Sequence, residues 1–400
     1  MKVYQTNEIK NISLLGSSGA GKTTLMEAML YESGVIKRRG SINNQNTVSD
    51  YFPVEKEYGY SVFSSVLSYE WKNKMMNFID CPGSDDFVGA VFSSLNMTDM
   101  AVMLIDAVNG VEVGTMNQFR YTEELHKPVV FLINQFDHEK ADYENTLTNL
   151  KEVYGSKVVP IQYTIGSGQT FEAIVDVLKQ KMYKWKPGAT APEVLDIPES
   201  EKDKAEEFYK VLLEAAAEND ENLMEKYFEQ GSLTEEEMRE GIMKGMIDRS
   251  LFPVFCASAE KNMAVHRIMN FLSMVAPSPD QMPAPINTDG KEVKPNSSGP
   301  TSLFFFKTTV EPHIGEVSYF KVMSGKVKPG DDLMNVNRSS KERITQIFSV
   351  SGQIRTAVDE MVAGNIGATV KLKDTRTGIQ RNKISRTKVS PCDKSGIRIG

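Results

Sequence analysis

Gly16-Ser17-Ser18-Gly19-Ala20-Gly21-Lys22-Thr23, continued by Thr24, decides the fold of this 400-residue chain. The stretch fits G-x-x-x-x-G-K-[ST] and lies where that pattern has structural meaning. An apolar strand, Asn11–Leu15, leads into it, and an amphipathic helix from Thr23 to about Ser33 leads out, with Gly34 as its C-cap. Small residues are required because successive backbone N–H groups must curl around phosphate oxygens. The Lys22 ammonium then reaches the β- and γ-phosphates, and the Thr23 hydroxyl is a ligand for Mg²⁺. The loop alone does not separate ATP from GTP.

Working outward, Val62–Trp71 and Met75–Asp80 read as two strands joined by a polar turn at Lys72–Lys74. Ala101–Asp106, Val129–Asn134 and Leu251–Cys256 are short apolar runs of the kind buried in parallel sheets, with a helical stretch between the first two. The expected fold is α/β: a doubly wound P-loop sheet. Three strand ends carry further chemistry. Asp80-Cys81-Pro82-Gly83 offers a carboxylate for Mg²⁺, usually through water, and the Gly83 N–H for a γ-phosphate. In Asn134-Gln135-Phe136-Asp137, the Asp137 carboxylate can accept both the N1–H and the N2 amino protons of guanine, a pairing that adenine cannot satisfy. Ser258-Ala259-Glu260 would supply a backbone N–H to the guanine O6. Each element is weak in isolation, but in this order they specify GTP/GDP as the ligand.

Ser200 to about Ile247 turns into acidic helix, with Thr234 and Glu237 spaced as a capping box. The buried-strand pattern resumes at Leu251, so a helical subdomain at about 160–250 is inserted within a G domain spanning 1–284. A linker at 285–300 follows, rich in Pro, Ser, Asn and Gly. Ser302–Thr309, Glu316–Met323, Asp332–Asn335, Arg343–Val350 and Ile366–Leu372 are β-prone runs, giving an all-β Greek-key barrel at 301–380. The tail at 381–400 shows no periodicity.

The net charge of −7 is unevenly spread: residues 1–284 carry −15 and residues 285–400 carry +8. The basic end is compatible with an RNA-facing surface and equally with a solvated face. Cys81, Cys256 and Cys392 are too sparse for a disulfide scaffold and lack metal-ligand spacing. Met1–Lys10 is polar, and no apolar run reaches bilayer length, so the expectation is a cytoplasmic, monomeric protein that binds neither membrane nor DNA.

From Glu8 to Gly378 the chain resembles the first two domains of a bacterial elongation factor G-like translational GTPase, as an atypical paralogue. Besides the motifs above, Pro160-Ile161-Gln162 with Phe171-Glu172-Ala173-Ile174 resembles the start of that family's inserted subdomain. Phe306-Lys307, Gly315-Glu316 and Gly325-Lys326-Val327-Lys328-Pro329-Gly330 resemble its β-barrel. Asp50, Glu55, Glu57, Gly59 and Ser61 line up with the first switch loop, where Ser61 stands for the Thr that closes on Mg²⁺ and the γ-phosphate. The resemblance implies the ribosome as partner, through rRNA and ribosomal proteins, in translocation or recycling, and further C-terminal domains beyond these 400 residues. A ribosomal-protection or release-factor-like GTPase shares the same two-domain start.

Four departures bear on catalysis: Tyr58 replaces an Arg before the switch glycine, Gln135 the Lys of N-K-x-D, and Gly19 a P-loop Asp. Ser84 replaces the histidine after D-x-P-G that positions the attacking water. All four histidines (His126, His138, His266, His313) lie outside 50–90. The expectation is firm GTP binding by Lys22, Thr23 and their neighbours, and weak hydrolysis or a switch that does not hydrolyse.

Overall fold

Apolar runs with no polar face must be covered on both sides, and the chain does this with one twisted sheet. The computed structural model describes residues 2–186, 189, 191–287, 291–311 and 314–375, with the strand backbones 382–385 and 397–398. Strands β1 (Ile9–Leu15), β2 (Ser65–Trp71), β3 (Lys74–Asp80), β4 (Met100–Asp106), β5 (Val129–Asn134), β6 (Val158–Pro160) and β11 (Phe252–Cys256) run in the order β2-β3-β1-β4-β5-β11-β6. All neighbours are parallel except the β2–β3 hairpin. That hairpin turns through Lys72 and Asn73, both at positive φ, which matches the twist of two antiparallel strands.

Every residue of β1, β4 and β5 is buried. Each fully buried aliphatic side chain there contributes about 1.5–3 kcal/mol. The covering helices are α1 (Lys22–Glu32), α3 (Val88–Met97), α4 (Val113–Glu124), α5 (Tyr143–Tyr154) and α9 (Val265–Val275); a short α2 (Pro53–Tyr58) lies in the loop before β2.

The segment between β6 and β11 holds more than helices. Four antiparallel strands come first: β7 (Gln162–Ile165), β8 (Ala173–Asp176), β9 (Lys181–Lys184) and β10 (Glu193–Leu195). Then follow α6 (Glu199–Ala217), α7 (Glu221–Gln230) and α8 (Glu235–Ile247). The Thr234 capping box forms, with the Glu237 carboxylate accepting the Thr234 N–H at 2.8 Å. Arg267 on α9 binds Asp176 on β8 at 2.5 Å and holds this sheet to the G domain.

A short β12 (Ile286–Asn287) precedes the barrel-like strands. These are β13 (Ser302–Glu311), β14 (Gly315–Ser324), β15 (Lys326–Val327), β16 (Asp332–Asn335), β17 (Ser340–Arg343), β18 (Phe348–Ser351), β19 (Ile354–Ala357), β20 (Met361–Val362) and β21 (Ile366–Val370). The run expected at Arg343–Val350 is split between β17 and β18; Ile344 and Ile347 are buried in the segment between the two strands, with Thr345 and Gln346 exposed between them. Of the tail, the described backbone adds β22 (Asn382–Ser385) beside β13 and β16, and β23 (Ile397–Arg398) beside β12.

The two halves are joined by more than a linker. The Ser351 Oγ accepts the Ser68 N–H at 3.2 Å, and the Gly352 N–H donates to the Val66 carbonyl, so β18 extends the sheet past β2. Lys321 on β14 donates to Asp99 at 2.9 Å and to the Met97 carbonyl, with both charged side chains buried. A register shift between Phe305 and Lys307 re-aims Lys307, whose ammonium reaches the Ser64 carbonyl.

Candidate functional site

The loop after β1 is closed by geometry that only glycine tolerates. Gly21 sits at φ 89°, and a Cβ there would lie 2.4 Å from the Asn134 amide nitrogen. Gly83 packs so tightly on the loop that a Cβ would come 2.5 Å from the Ser18 nitrogen and 2.6 Å from the Lys22 ammonium. The Lys22 Nζ lies inside the curl, donating to the carbonyls of Gly16 at 2.7 Å and Ser17 at 2.8 Å. Burial pulls its pKa down, with Asp80 as the largest opposing influence.

Thr23 is the meeting point of three segments. Its hydroxyl lies 3.2 Å from Asp80 at the end of β3, 3.3 Å from Asp50 and 3.3 Å from Ser61 in the loop before β2. Burial pushes the Asp80 carboxyl up from its ordinary value, and the neighbouring Asp50 charge adds to this, against the pull of Lys22. Burial likewise raises Asp50. Among the described residues the second oxygen of Asp80 is buried with no hydrogen-bond partner, although the Ser49 hydroxyl is close enough to pull the carboxyl pKa down. Two carboxylates held above their ordinary range, an orphaned oxygen and two hydroxyls are a fit for a hard, oxygen-seeking divalent cation. Thr23, Ser61 and Asp80 would hold Mg²⁺, with Asp50 beside them. Glu55 fixes the loop that carries Ser61: its buried carboxylate accepts the N–H groups of Phe52, Val62 and Phe63 at 3.0–3.2 Å.

The residues expected to recognise the base also converge. Asn134 donates to the Ala20 carbonyl and accepts the Ala259 N–H, both at 2.9 Å, tying the phosphate loop to the loop after β11. The Asp137 carboxylate accepts the Ser258 hydroxyl at 2.5 Å. Gln135, at φ 71°, sends its amide to the Gly19 carbonyl at 2.6 Å, so it braces the phosphate loop. Thr24 lies one position further along α1, and the Glu260 side chain is exposed.

Ser84 is not drawn into this group. Its hydroxyl caps the short 3₁₀ turn Asp85–Phe87, accepting the Asp86 N–H at 3.4 Å and donating to the Asp86 carboxylate at 3.2 Å. Tyr58 is 60% exposed and packs against Tyr60. None of His126, His138 or His266 is placed in the site by its contacts; His266, for one, lies edge-on to Trp71. His313 and Cys392 lie outside the described residues.

Sequence reasoning missed several contributors. Gln118 on α4 accepts the Gly16 N–H at 2.8 Å and donates to the Pro82 carbonyl at 3.2 Å, and Thr115 meets the Ser17 hydroxyl at 2.8 Å. The signal available was Thr115 and Gln118 spaced i, i+3 on one face of a predicted helix. Arg39 donates to the carbonyls of Ala259 at 2.6 Å and Glu260 at 3.0 Å, and no local pattern announces that contact.

Residues 7–278 match the family model of the elongation factor Tu GTP binding domain, and residues 315–379 that of elongation factor Tu domain 2. The fold is also similar to that of a protein of Thermus thermophilus solved by crystallography, with a TM-score of 0.84 at 28% identity. That similarity covers 96% of this chain and 55% of the other, so the chain spans about half the length of that protein. Among the described residues no helix is long and apolar enough to cross a membrane. With the guanine-type motifs converging on one phosphate loop, the chain belongs to the elongation factor Tu GTP-binding domain family of translational GTPases.

Proposed function

We propose that this protein binds GTP and GDP with Mg²⁺ and works at the ribosome in an elongation factor G-like role, with slow hydrolysis. Asn134 carries the binding half of the reading, because one side chain holds the phosphate loop and the base loop in register. Asp137 would read the guanine edge, and the backbone at 16–23 with Lys22 would hold the phosphates. When bound, Mg²⁺ would neutralise charge on the β- and γ-phosphates.

The same reading makes hydrolysis weak. Rate in this fold comes from positioning water and stabilising charge on the transferring group. Lys22, Thr23, Ser61 and Asp80 keep the chemical types for the second task. For the first, the hydroxyl of Ser84 is short, a poor base near neutral pH, and engaged with Asp86. Loss of such a group removes about 10²–10⁴-fold of rate. The functional class that follows is a GTP-loaded switch whose ribosome binding depends on nucleotide and whose turnover lags. Ribosome-stimulated GTP turnover on the intact protein tests it. A rate matching an ordinary elongation factor G would sink the slow-hydrolysis reading and leave the binding reading intact.

A further inference from the structure

A cavity of about 730 Å³ lies between the end of α1, the segment 37–39, the turn at 261–263 and the inserted sheet. Its walls carry five cations, Lys37, Arg38, Arg39, Lys186 and Lys261, against the single acid Glu172. That sign is the reverse of its surroundings, since residues 1–284 hold 27 Lys and Arg against 42 Asp and Glu. Glu172 is already paired with Lys184 at 2.8 Å, and Lys186 with Glu193 at 2.5 Å. Lys37 and Arg38 make no ion pair or hydrogen bond among the described residues. Uncompensated neighbouring cations repel, and they attract a counter-anion of matching size.

The walls are also aromatic. Tyr31 is 37% exposed at the rim, while Phe171 and Trp185 are buried behind it. Among the described residues, three that line the cavity leave a buried polar atom without a partner: Arg39 Nε, Trp185 Nε1 and Asn262 Oδ1. Buried polar groups are nearly always satisfied, so three around one cavity mark an unfinished lining. None of the base-recognition residues 134–137 or 258–260 lines it. Arg39 connects the two places, because it faces the cavity while donating to the carbonyls of Ala259 and Glu260.

We propose that this cavity is a second ligand site, which takes a small phosphorylated compound with a planar ring, of the mononucleotide class. The phosphate is held by Lys37 and Arg38, and the ring stacks on Tyr31. Occupancy is felt at the base loop, since a phosphate competes with the Ala259 and Glu260 carbonyls for Arg39. Loosening that clamp speeds GDP release. The coupling rests on the guanine-site reading above, while the ligand site does not.

ADP is the probe, because Asp137 disfavours adenine in the guanine site, and it is added to protein saturated with GDP. Calorimetry on the unaltered protein reads binding directly. Trp185 fluorescence reads it again in Trp71→Phe, since the chain has two tryptophans and only Trp185 then remains. The expected result is saturable ADP binding, weakened about tenfold or more in Lys37→Ala/Arg38→Ala with GDP affinity unchanged. GDP release should quicken several-fold with ADP in the parent and become insensitive to it in Arg39→Ala. No saturable ADP signal, or one indifferent to the double substitution, overturns the site. Inorganic pyrophosphate binding as tightly as ADP overturns the planar-ring assignment. Failure of GDP itself to bind, measured separately, counts against the guanine-site reading alone.

Discussion

At the base and β-phosphate end of the nucleotide site, Asn134 and Gln135 reach across to carbonyls of the phosphate loop, and Asn134 also receives the Ala259 N–H. Gln118 braces that loop from behind. At the end where water would attack, Ser84 bonds, among the described residues, only within its own turn, and the Tyr58 side chain is 60% exposed. Bonds at the first end run between segments distant in sequence, so a change there disturbs several elements at once. The bonds of Ser84 are local, although Asn117 donates to its neighbour Asp85 at 2.9 Å and Gln118 to the Pro82 carbonyl, so it is the Ser84 side chain alone that can change without unsettling the cradle. On the function proposed above, binding and hydrolysis should therefore be separable by substitution.

The most forceful way to break the comparison is Lys22→Ala. It removes the one cation inside the loop, and leaving phosphate charge unpaired in a desolvated cradle costs about 2–5 kcal/mol. Calorimetry should show GTP affinity falling by two orders of magnitude or so; affinity close to that of the parent would remove Lys22 from the site. Asp137→Asn comes next. Losing a charge-assisted bidentate pair should weaken GTP by roughly 10–100-fold and let xanthosine nucleotides compete, since an amide can donate to the xanthine 2-oxo group. Competition titrations in which guanine selectivity persists would reassign base reading to another residue.

Ser84→His sharpens the other side. Ribosome-stimulated turnover should rise by about tenfold, part of the deficit expected for a missing positioning group, because Tyr58 and Gly19 remain. GTP affinity should stay the same within error; a variant that binds differently would show that the two ends are not independent.

The smallest effect concerns Lys307, whose ammonium joins the barrel to the switch-bearing loop at Ser64. Burial lowers its pKa from 10.5 to about 8. Between those values the unfolded chain binds more protons than the folded one, so this residue's contribution to stability grows as pH rises from about 8 to 10.5. Thermal melts of parent and Lys307→Met should therefore diverge over that window in the parent's favour. Parallel curves would place the charge in solvent.

What was legible in the sequence was whatever local pattern dictates. Apolar runs at β1, β4, β5 and β11 mark buried strands, and the phosphate loop is a glycine pattern with a fixed conformational purpose. Lys22, Thr23, Asp80, Asn134 and Asp137 lie at the ends of those elements and fall together once the sheet forms. The strands β7–β10 were less legible: all are short, β7, β9 and β10 are partly or fully exposed, and helical periodicity in the neighbouring segment is louder. The contacts of Gln118 and Arg39 were illegible for another reason. Each depends on which face of an element meets a segment distant in sequence, 102 residues away for Gln118 and 221 from Arg39 to Glu260. The split of Arg343–Val350 did leave a signal, the polar pair Thr345 and Gln346, which is exposed between the buried Ile344 and Ile347 and breaks the alternation of a single strand.

The seam between β18 and β2 bears on synthesis as well as on architecture. Ser68 waits for Ser351, 283 positions later, before its N–H is satisfied. During translation the outer edge of β2 is thus an open strand edge throughout the growth of the inserted subdomain and the first barrel strands. Unpaired edges recruit other strands, including those of nascent neighbours. A chain released before Phe348 should precipitate or pair edge to edge, even though its nucleotide cradle is fully encoded.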